Sequence, residues 1–150
     1  MPPTMPDVRA IDQAVLAILT GDAILAALLP GGVHWDIAPA GLTQFVIVTL
    51  QDFTTDAVFG ADDGGTETIS YLVKAVTRTG AADTALDAAA RMHDLLERQP
   101  LTLTGTGYEL MVMQRTRRVR FSEFDLHNAE WQHIGGVYSV MVARGTMSAP

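Results

Sequence analysis

Residues 67–98, ETISYLVKAVTRTGAADTALDAAARMHDLLER, decide the fold. From Glu67 to Arg78 the side chains alternate, with Ile69, Tyr71, Val73 and Ala75 on one side and Ser70, Leu72, Lys74 and Val76 on the other. A two-residue period in β-branched and aromatic residues marks a strand with one face against a core. Past Arg78 the period changes. Leu86, Ala89, Ala90, His93 and Leu96 recur at helical spacing within Ala81–Arg98 and form the expected apolar stripe. Asp83 and Asp87 sit near the positive end of that helix and Arg98 near the negative end, and Pro100 stops it.

The flanking segments say which layered fold holds this pair. Upstream, Val8, Ile11, Val15, Ile18 and Leu19 form one helical face, with Asp7 placed to cap it. Gly21 is expected to supply a left-handed C-cap, and Asp22 to cap a second helix, Ala23–Leu29. That second helix is apolar nearly all round and is expected to be buried. Pro30-Gly31-Gly32 stops it, Val33–Ile37 reads as a short extended piece, and Ala38-Pro39-Ala40-Gly41 as a turn. Gln44–Leu50 (QFVIVTL) reads as a central strand. Residues 52–66, rich in glycine, threonine and aspartate, read as a long exposed loop.

Downstream, a third strand is expected within Leu101–Met113, a bend at Asp125–Asn128, and a closing strand at Val137–Ala143. Strands on both sides of one helix predict an α+β domain rather than a βαβ repeat. The expected architecture is a mostly antiparallel sheet of about four or five strands. N-terminal helices and one long mid-chain helix pack on it. Residues 1–150 form one domain, with 1–6 as a flexible N-terminal arm and 145–150 as a flexible C-terminal tail.

Composition narrows the classes of function. The longest apolar runs are strand-length, which predicts no membrane span, and the start MPPTMPDVRA lacks the basic head and apolar run of a signal peptide. With no cysteine there is no disulfide, thiol nucleophile or thiolate metal site, which suits assembly in a reducing cytoplasm. A net charge of −7 argues against a general DNA-binding module. The charge is uneven. Residues 1–60 hold one basic and six acidic groups, whereas residues 101–150 hold five basic and four acidic ones, among them Arg115, Arg117, Arg118 and Arg120.

Catalytic signals are thin. His34, His93, His127 and His133 show no zinc-pair spacing, and a semi-buried or solvated imidazole accounts for each. The segment Gly60–Thr66 lacks the Gly-Lys-Ser/Thr of a phosphate loop, and adjacent Asp62 and Asp63 do not fit a calcium loop. A solvated acidic loop is the plain explanation, and a loop ordered against a neighbouring subunit the functional one. Ser70, Ser122, Ser139 and Ser148 lack a nucleophile-elbow context. No enzyme, metal or cofactor is predicted.

Gln114–Phe121 (QRTRRVRF) is the strongest polar signal. Simple alternation would put Arg115 and Arg117 on one face and Arg118 and Arg120 on the other. Burying unpaired guanidinium groups is costly, so the segment is expected to leave the packed layer as a projecting hairpin or loop. A solvated basic loop, an ion-pair contact with an acidic neighbour and a phosphate contact with passing DNA all fit.

The order of these pieces resembles the tail terminator (tail-completion) family of long-tailed phages and gene transfer agents. The likeness runs from about Val8 to Arg144. It rests on Asp22-Ala-Ile-Leu-Ala-Ala-Leu-Leu29, Val33-His-Trp-Asp-Ile-Ala-Pro39, the strand Phe45–Val48, the strand Tyr71–Thr77, the alanine-rich helix Ala82–Leu96, the arginine-bearing segment and Val137–Val142. Gln44 stands where that family often has proline. The resemblance implies a virion tail protein at the head-proximal end: a homo-oligomeric ring, expected to be a hexamer. It would cap the tail tube, bind the major tail tube protein, stop polymerisation and face the head connector. DNA would pass through its lumen without specific binding, and no catalytic residue is implied.

Such a ring needs two complementary patches on each subunit. Arg115, Arg117, Arg118 and Arg120 are the candidate basic patch, and Asp56, Asp62, Asp63 and Glu67 the acidic one. Two other readings stay open. One is a small α+β ligand-binding or isomerase-like domain with Asp36, His93 and Tyr71 around a pocket. The other is a different head–tail joining component of the virion.

Overall fold

The computed structural model describes residues 7–57, 65–78 and 80–144. The alternating stretch is β3 (Gly65–Arg78), and it lies in the middle of a five-stranded sheet. On one side of it is β2 (Gln44–Ala57), whose outer edge pairs with the short β1 (Val33–Trp35). On the other side is β5 (Glu130–Arg144), followed by β4 (Tyr108–Phe124) at the far edge. Every pairing is antiparallel except the parallel β1–β2 contact, so the sheet is mixed but mostly antiparallel, and the class is α+β.

Among the described residues three helices sit against the sheet: α1 (Arg9–Thr20), α2 (Ala23–Leu28) and α3 (Ala82–Leu96). The alternation of β3 explains why one sheet face carries them. Ile69, Tyr71, Val73 and Ala75 are fully buried, and they form one core with Ile11, Val15 and Leu19 of α1 and Ala85, Ala88, Met92 and Leu96 of α3. The Tyr71 hydroxyl donates to Asp12 of α1, giving this buried phenol the partner it needs. Burial raises the Asp12 carboxyl against the lowering effect of that bond. Asp22 caps α2 through the Leu25 amide at 2.8 Å and also takes two hydrogen bonds from Arg91 of α3.

Several expectations are corrected. Asp7 does accept from the Arg9 amide, but α1 starts at Arg9, a residue later than read from sequence. Gly21 is right-handed at φ −80°, because its N–H simply continues the helix ladder to Ala17. In α2 only Leu25 is buried and Ile24 is 55% exposed, since the tie to Arg91 turns one side of this short helix inward. The mid-chain helix has 15 residues, an ordinary length rather than a long one. Its buried stripe is Ala85, Ala88, Met92 and Leu96, with Leu86 and Ala90 turned out. Small alanines let the helix axis settle close to the sheet, where Tyr71 and Tyr138 already fill the space.

Within the segment expected as a loop at 52–66, residues 52–57 and 65–66 are strand, and 58–64 lie outside the described residues. Residues 52–57 pair in register with Gly65–Ser70, and Thr66–Ser70 in turn pair with β5, so β2 continues as the outer strand of the sheet here. The third strand begins only at Tyr108, while Leu101 and Leu103 before it are buried in the core. It then runs unbroken through the arginines to Phe124 rather than leaving the layer. The two terminal segments, 1–6 and 145–150, lie outside the described residues.

Gly135 and Gly136 fit β5 between its neighbours. A Cβ at Gly135 would stand 2.0 Å from the Val73 carbonyl oxygen, and one at Gly136 would stand 2.7 Å from Cδ of Arg115. Gly135→Ala is therefore expected to lower the unfolding free energy by roughly 3 kcal/mol, as overpacking against backbone does. Urea denaturation measures it, and a loss under about 1 kcal/mol would show that β3 and β5 yield there.

Candidate functional site

The chemistry-bearing side chains collect in two places, one on each face of the sheet. The first is the arginine half of β4. A bulge at Thr116 lies between Arg115 and Arg117, and the Thr116 hydroxyl donates to the Val137 carbonyl. One extra residue resets the alternation. Arg115, Arg118 and Arg120 pair with Tyr138, Gly136 and Ile134 on the helix-bearing face, and Arg117 pairs with Val137 on the opposite face. Simple alternation predicted a two-and-two split, and the bulge makes it three and one.

Those three arginines face α3 across a groove of about 380 Å³. The helix contributes Leu86, Ala89, Ala90, His93 and Asp94, most of the stripe that was expected to be buried. Arg115 is the anchored member. Its backbone N–H donates to Glu97 at 2.6 Å, and its stem crosses β5 where Gly136 has no side chain. Beside it Tyr138 bonds His93 Nδ1 at 3.1 Å, and burial pushes the Tyr138 hydroxyl up to about 12 while Arg115 draws it down. Arg117, Arg118 and Arg120 are exposed, and among the described residues none lies within ion-pair distance of a carboxylate. Being at an edge answers the desolvation problem without leaving the sheet: among the described residues α3 faces this half of the strand only across the groove and leaves Arg117, Arg118 and Arg120 exposed.

The acidic set fares unevenly. Glu67 is 6% exposed, in an ion pair with Arg144 at 3.7 Å and beside Tyr108, so it is turned inward. Asp56 occupies the register position opposite Thr66, near the end of β2. Asp62 and Asp63 lie outside the described residues. Asp52, which sequence reasoning passed over as part of a loop, is an exposed residue of β2 on the same stretch as Asp56.

The second place is the helix-free face. Here the segment Asp36–Leu42 and the β4–β5 turn wall a cleft of about 650 Å³ floored by Phe45, Ile47 and Val76. His133 is central. Its Nε2 bonds Glu123 at 2.7 Å, its ring stacks on Phe121 at 4.4 Å, and Lys74 sits over the same Phe121 ring at 5.2 Å. The Glu123 bond makes Nε2 the protonated nitrogen of a neutral ring and leaves buried Nδ1 without a partner among the described residues. Asp125 shapes the turn by accepting from the His127 and Ala129 amides and from Trp131 Nε1. Ile37, Phe124 and Leu126 crown the rim at 82%, 66% and 102% exposure, a large uncovered apolar surface. The sequence carried a signal for this site in Phe121/Glu123 and Trp131/His133, each pair two apart and flanking one bend.

Asp36, His93 and Tyr71 do not meet. Asp36 lines the helix-free cleft, His93 the groove on the other face, and Tyr71 is in the core. Among the described residues no cluster of histidine and acids is placed to hold a metal, and no helix is long and apolar enough to cross a membrane.

Burial and the Lys74 charge hold His133 below its ordinary 6.5 despite Glu123. Between the folded value and 6.5 the unfolded chain binds the extra proton, so stability present above pH 6.5 declines as pH falls through the folded value. His133→Gln is expected to remove that part of the slope as pH falls below 6.5, measured by urea unfolding. An unchanged slope would mean that other groups carry it.

Comparison with known proteins supplies the remaining findings. The family model described as tail completion protein gp17 matches residues 13–132. A chain of the virion of a native gene transfer agent particle superposes with a TM-score of 0.67 at 23% identity, covering 93% of this chain and 99% of that one. A second solved structure gives 0.55 at 16% identity, covering 91% and 96%. At such identities these likenesses show a shared fold. No curated protein matches the chain.

Proposed function

The chain belongs to the tail completion protein gp17 family of phage-tail structural proteins, and on that premise we propose that it is a ring subunit capping the head-proximal end of the tail tube. A homo-oligomer, expected to be a hexamer, binds the terminal ring of the major tail tube protein, stops further polymerisation and offers its other surface to the head connector. The reaction is assembly and not catalysis. The observation that carries this reading is the row of Arg117, Arg118 and Arg120 on a bare sheet edge with no ion-pair partner among the described residues, in a chain of net charge −7. Exposed, unpaired arginines in an acidic protein are complementary to another copy's acids.

Asp52 and Asp56 of a neighbouring copy are the proposed counterparts, joined by Asp62 and Asp63 of the adjoining segment. Buried Glu67 is left out of the contact. Two different patches on one subunit give a head-to-tail contact, and rotation closes it into a ring. An acidic body round a channel repels phosphate, so DNA slides through without specific binding. The apolar rim of Ile37, Phe124 and Leu126 suits burial against another virion protein.

Light scattering on the protein alone and with the tail tube subunit tests the reading. A hexamer mass in either state, or arrest of tube growth on addition, is the expected result, and a monomer indifferent to tube would defeat it. Arg118→Glu with Arg120→Glu is expected to raise the concentration needed for assembly roughly tenfold or more. The monomer should unfold at the same urea concentration as wild type, because both side chains are exposed. Unchanged assembly would remove these arginines from the contact.

A further inference from the structure

Each outer strand of the sheet is covered over one half of its length and bare over the other. β1 covers β2 from Val46 to Val48, with Gly31 N–H donating to the Gln44 carbonyl below and Asp36 N–H to the Val48 carbonyl above. From Leu50 onward the outer side of β2 has no neighbour among the described residues. The α3–β4 connection covers the first half of β4. Arg98 N–H donates to the Met113 carbonyl, and Glu97 takes the Arg115 N–H. From Arg117 to Phe124 the outer side of β4 has no neighbour among the described residues.

Both bare stretches are regular strand. Arg117–Phe124 pairs residue for residue with β5, and Asp52–Ala57 does so with β3; the bulges all lie before these stretches. Their charges are opposite: Asp52 and Asp56 on one, Arg117, Arg118 and Arg120 on the other. An unprotected edge templates another strand, and like charge discourages each edge from pairing with its own kind.

We infer that neighbouring copies join edge to edge, with the bare half of β2 of one copy adding antiparallel to the bare half of β4 of the next, so that one continuous sheet runs round the ring. This rests on the ring reading. Direction agrees: β2 and β4 run oppositely within one copy, and the same orientation in the next copy brings them together antiparallel. The offset agrees as well. Asp52–Ala57 is level with Gly65–Ser70, whereas Arg117 is level with Leu72 and Phe124 lies at the far end of the sheet. Setting Thr54, level with Thr68, against Val119, level with Lys74, displaces the neighbour by six residues along the strands, ~20 Å, across a subunit about five strands or ~24 Å wide. That ratio corresponds to strands tilted by about 40°, within the tilt by which closed sheets accommodate their stagger.

The pleat selects the register. Asp52 and Thr54 pair with Ser70 and Thr68 on the helix-free face, which also carries Arg117, Val119 and Phe121 through Val137, Gly135 and His133. Keeping that face continuous allows every second register, and the one that sets Asp56 opposite Arg117 also sets Thr54 opposite Val119 and Phe53 opposite Arg120.

The chain has no cysteine, so introduced thiols report alone. Thr54→Cys with Val119→Cys, assembled with the tail tube subunit and treated with a short thiol–thiol cross-linker, is the test. Its mass by light scattering is compared with wild type before cross-linking. A ring-sized mass with a denaturing-gel ladder from dimer to the full copy number supports the inference, provided each single variant stops at dimer. Thr54→Cys with Val112→Cys, on the covered half of β4, should give no ladder. A ring-sized mass without a ladder, or with an equal ladder from the Val112 pair, overturns the edge pairing and leaves the ring reading standing. No species above monomer for wild type in either state overturns both.

Discussion

Almost every placement in this molecule follows from the period-two pleat of the β3–β5 pair. One face of that pair holds Ile69, Tyr71, Val73 and Val140 under the helices, and the other holds Lys74, Val76 and His133. A slip of one residue would exchange the two sets and put Lys74 in the core. Gly135 and Gly136 let the neighbouring backbone and the Arg115 stem come close at the same level. The register is thus held by burial on one side and by close approach at the glycines.

A single residue of irregularity then has a large effect at the edge. Thr116 bulges out of β4, and everything after it changes face relative to simple alternation. Three arginines reach the helix side where two were expected, and they form a groove with Leu86, His93 and Asp94 instead of spreading over both faces. Strand continuation and arginine exposure are compatible because β4 is terminal in the sheet and α3 covers only part of it. The helix-free face gains its own chemistry through the same pleat, which stacks His133 on Phe121 below Lys74.

Such a layout separates stability from assembly. The core around Ile11, Tyr71 and Leu96 is closed and apolar, with Tyr71–Asp12 and Asp22–Arg91 tying α1 to β3 and α2 to α3. The uncommitted groups, the arginine half of β4, the exposed part of β2 and the apolar rim of the cleft, lie outside it. A structural subunit of a phage tail needs that division, because its contacts must form between copies and partners without being satisfied first within one chain.

The amino-acid sequence by itself determined the α+β class, the strand at 67–78, the cap at Asp22, the helix after it and the concentration of arginine at 115–120. These are local: periodicity, capping and composition act over a few neighbours and survive in a linear text. Tertiary structure decided the rest. Residues 52–57 look like a loop because threonine, aspartate and glycine favour turns, yet pairing with β3 makes them strand. Leu86 and Ala90 match a helical stripe as well as Ala85 and Ala88 do, and only the space left by Tyr71 and Tyr138 selects the small pair. The face of each arginine turned on one bulged residue, and the inward turn of Glu67 on Arg144, far away in sequence. Long-range pairing sets these outcomes, and no local window of sequence contains the partner.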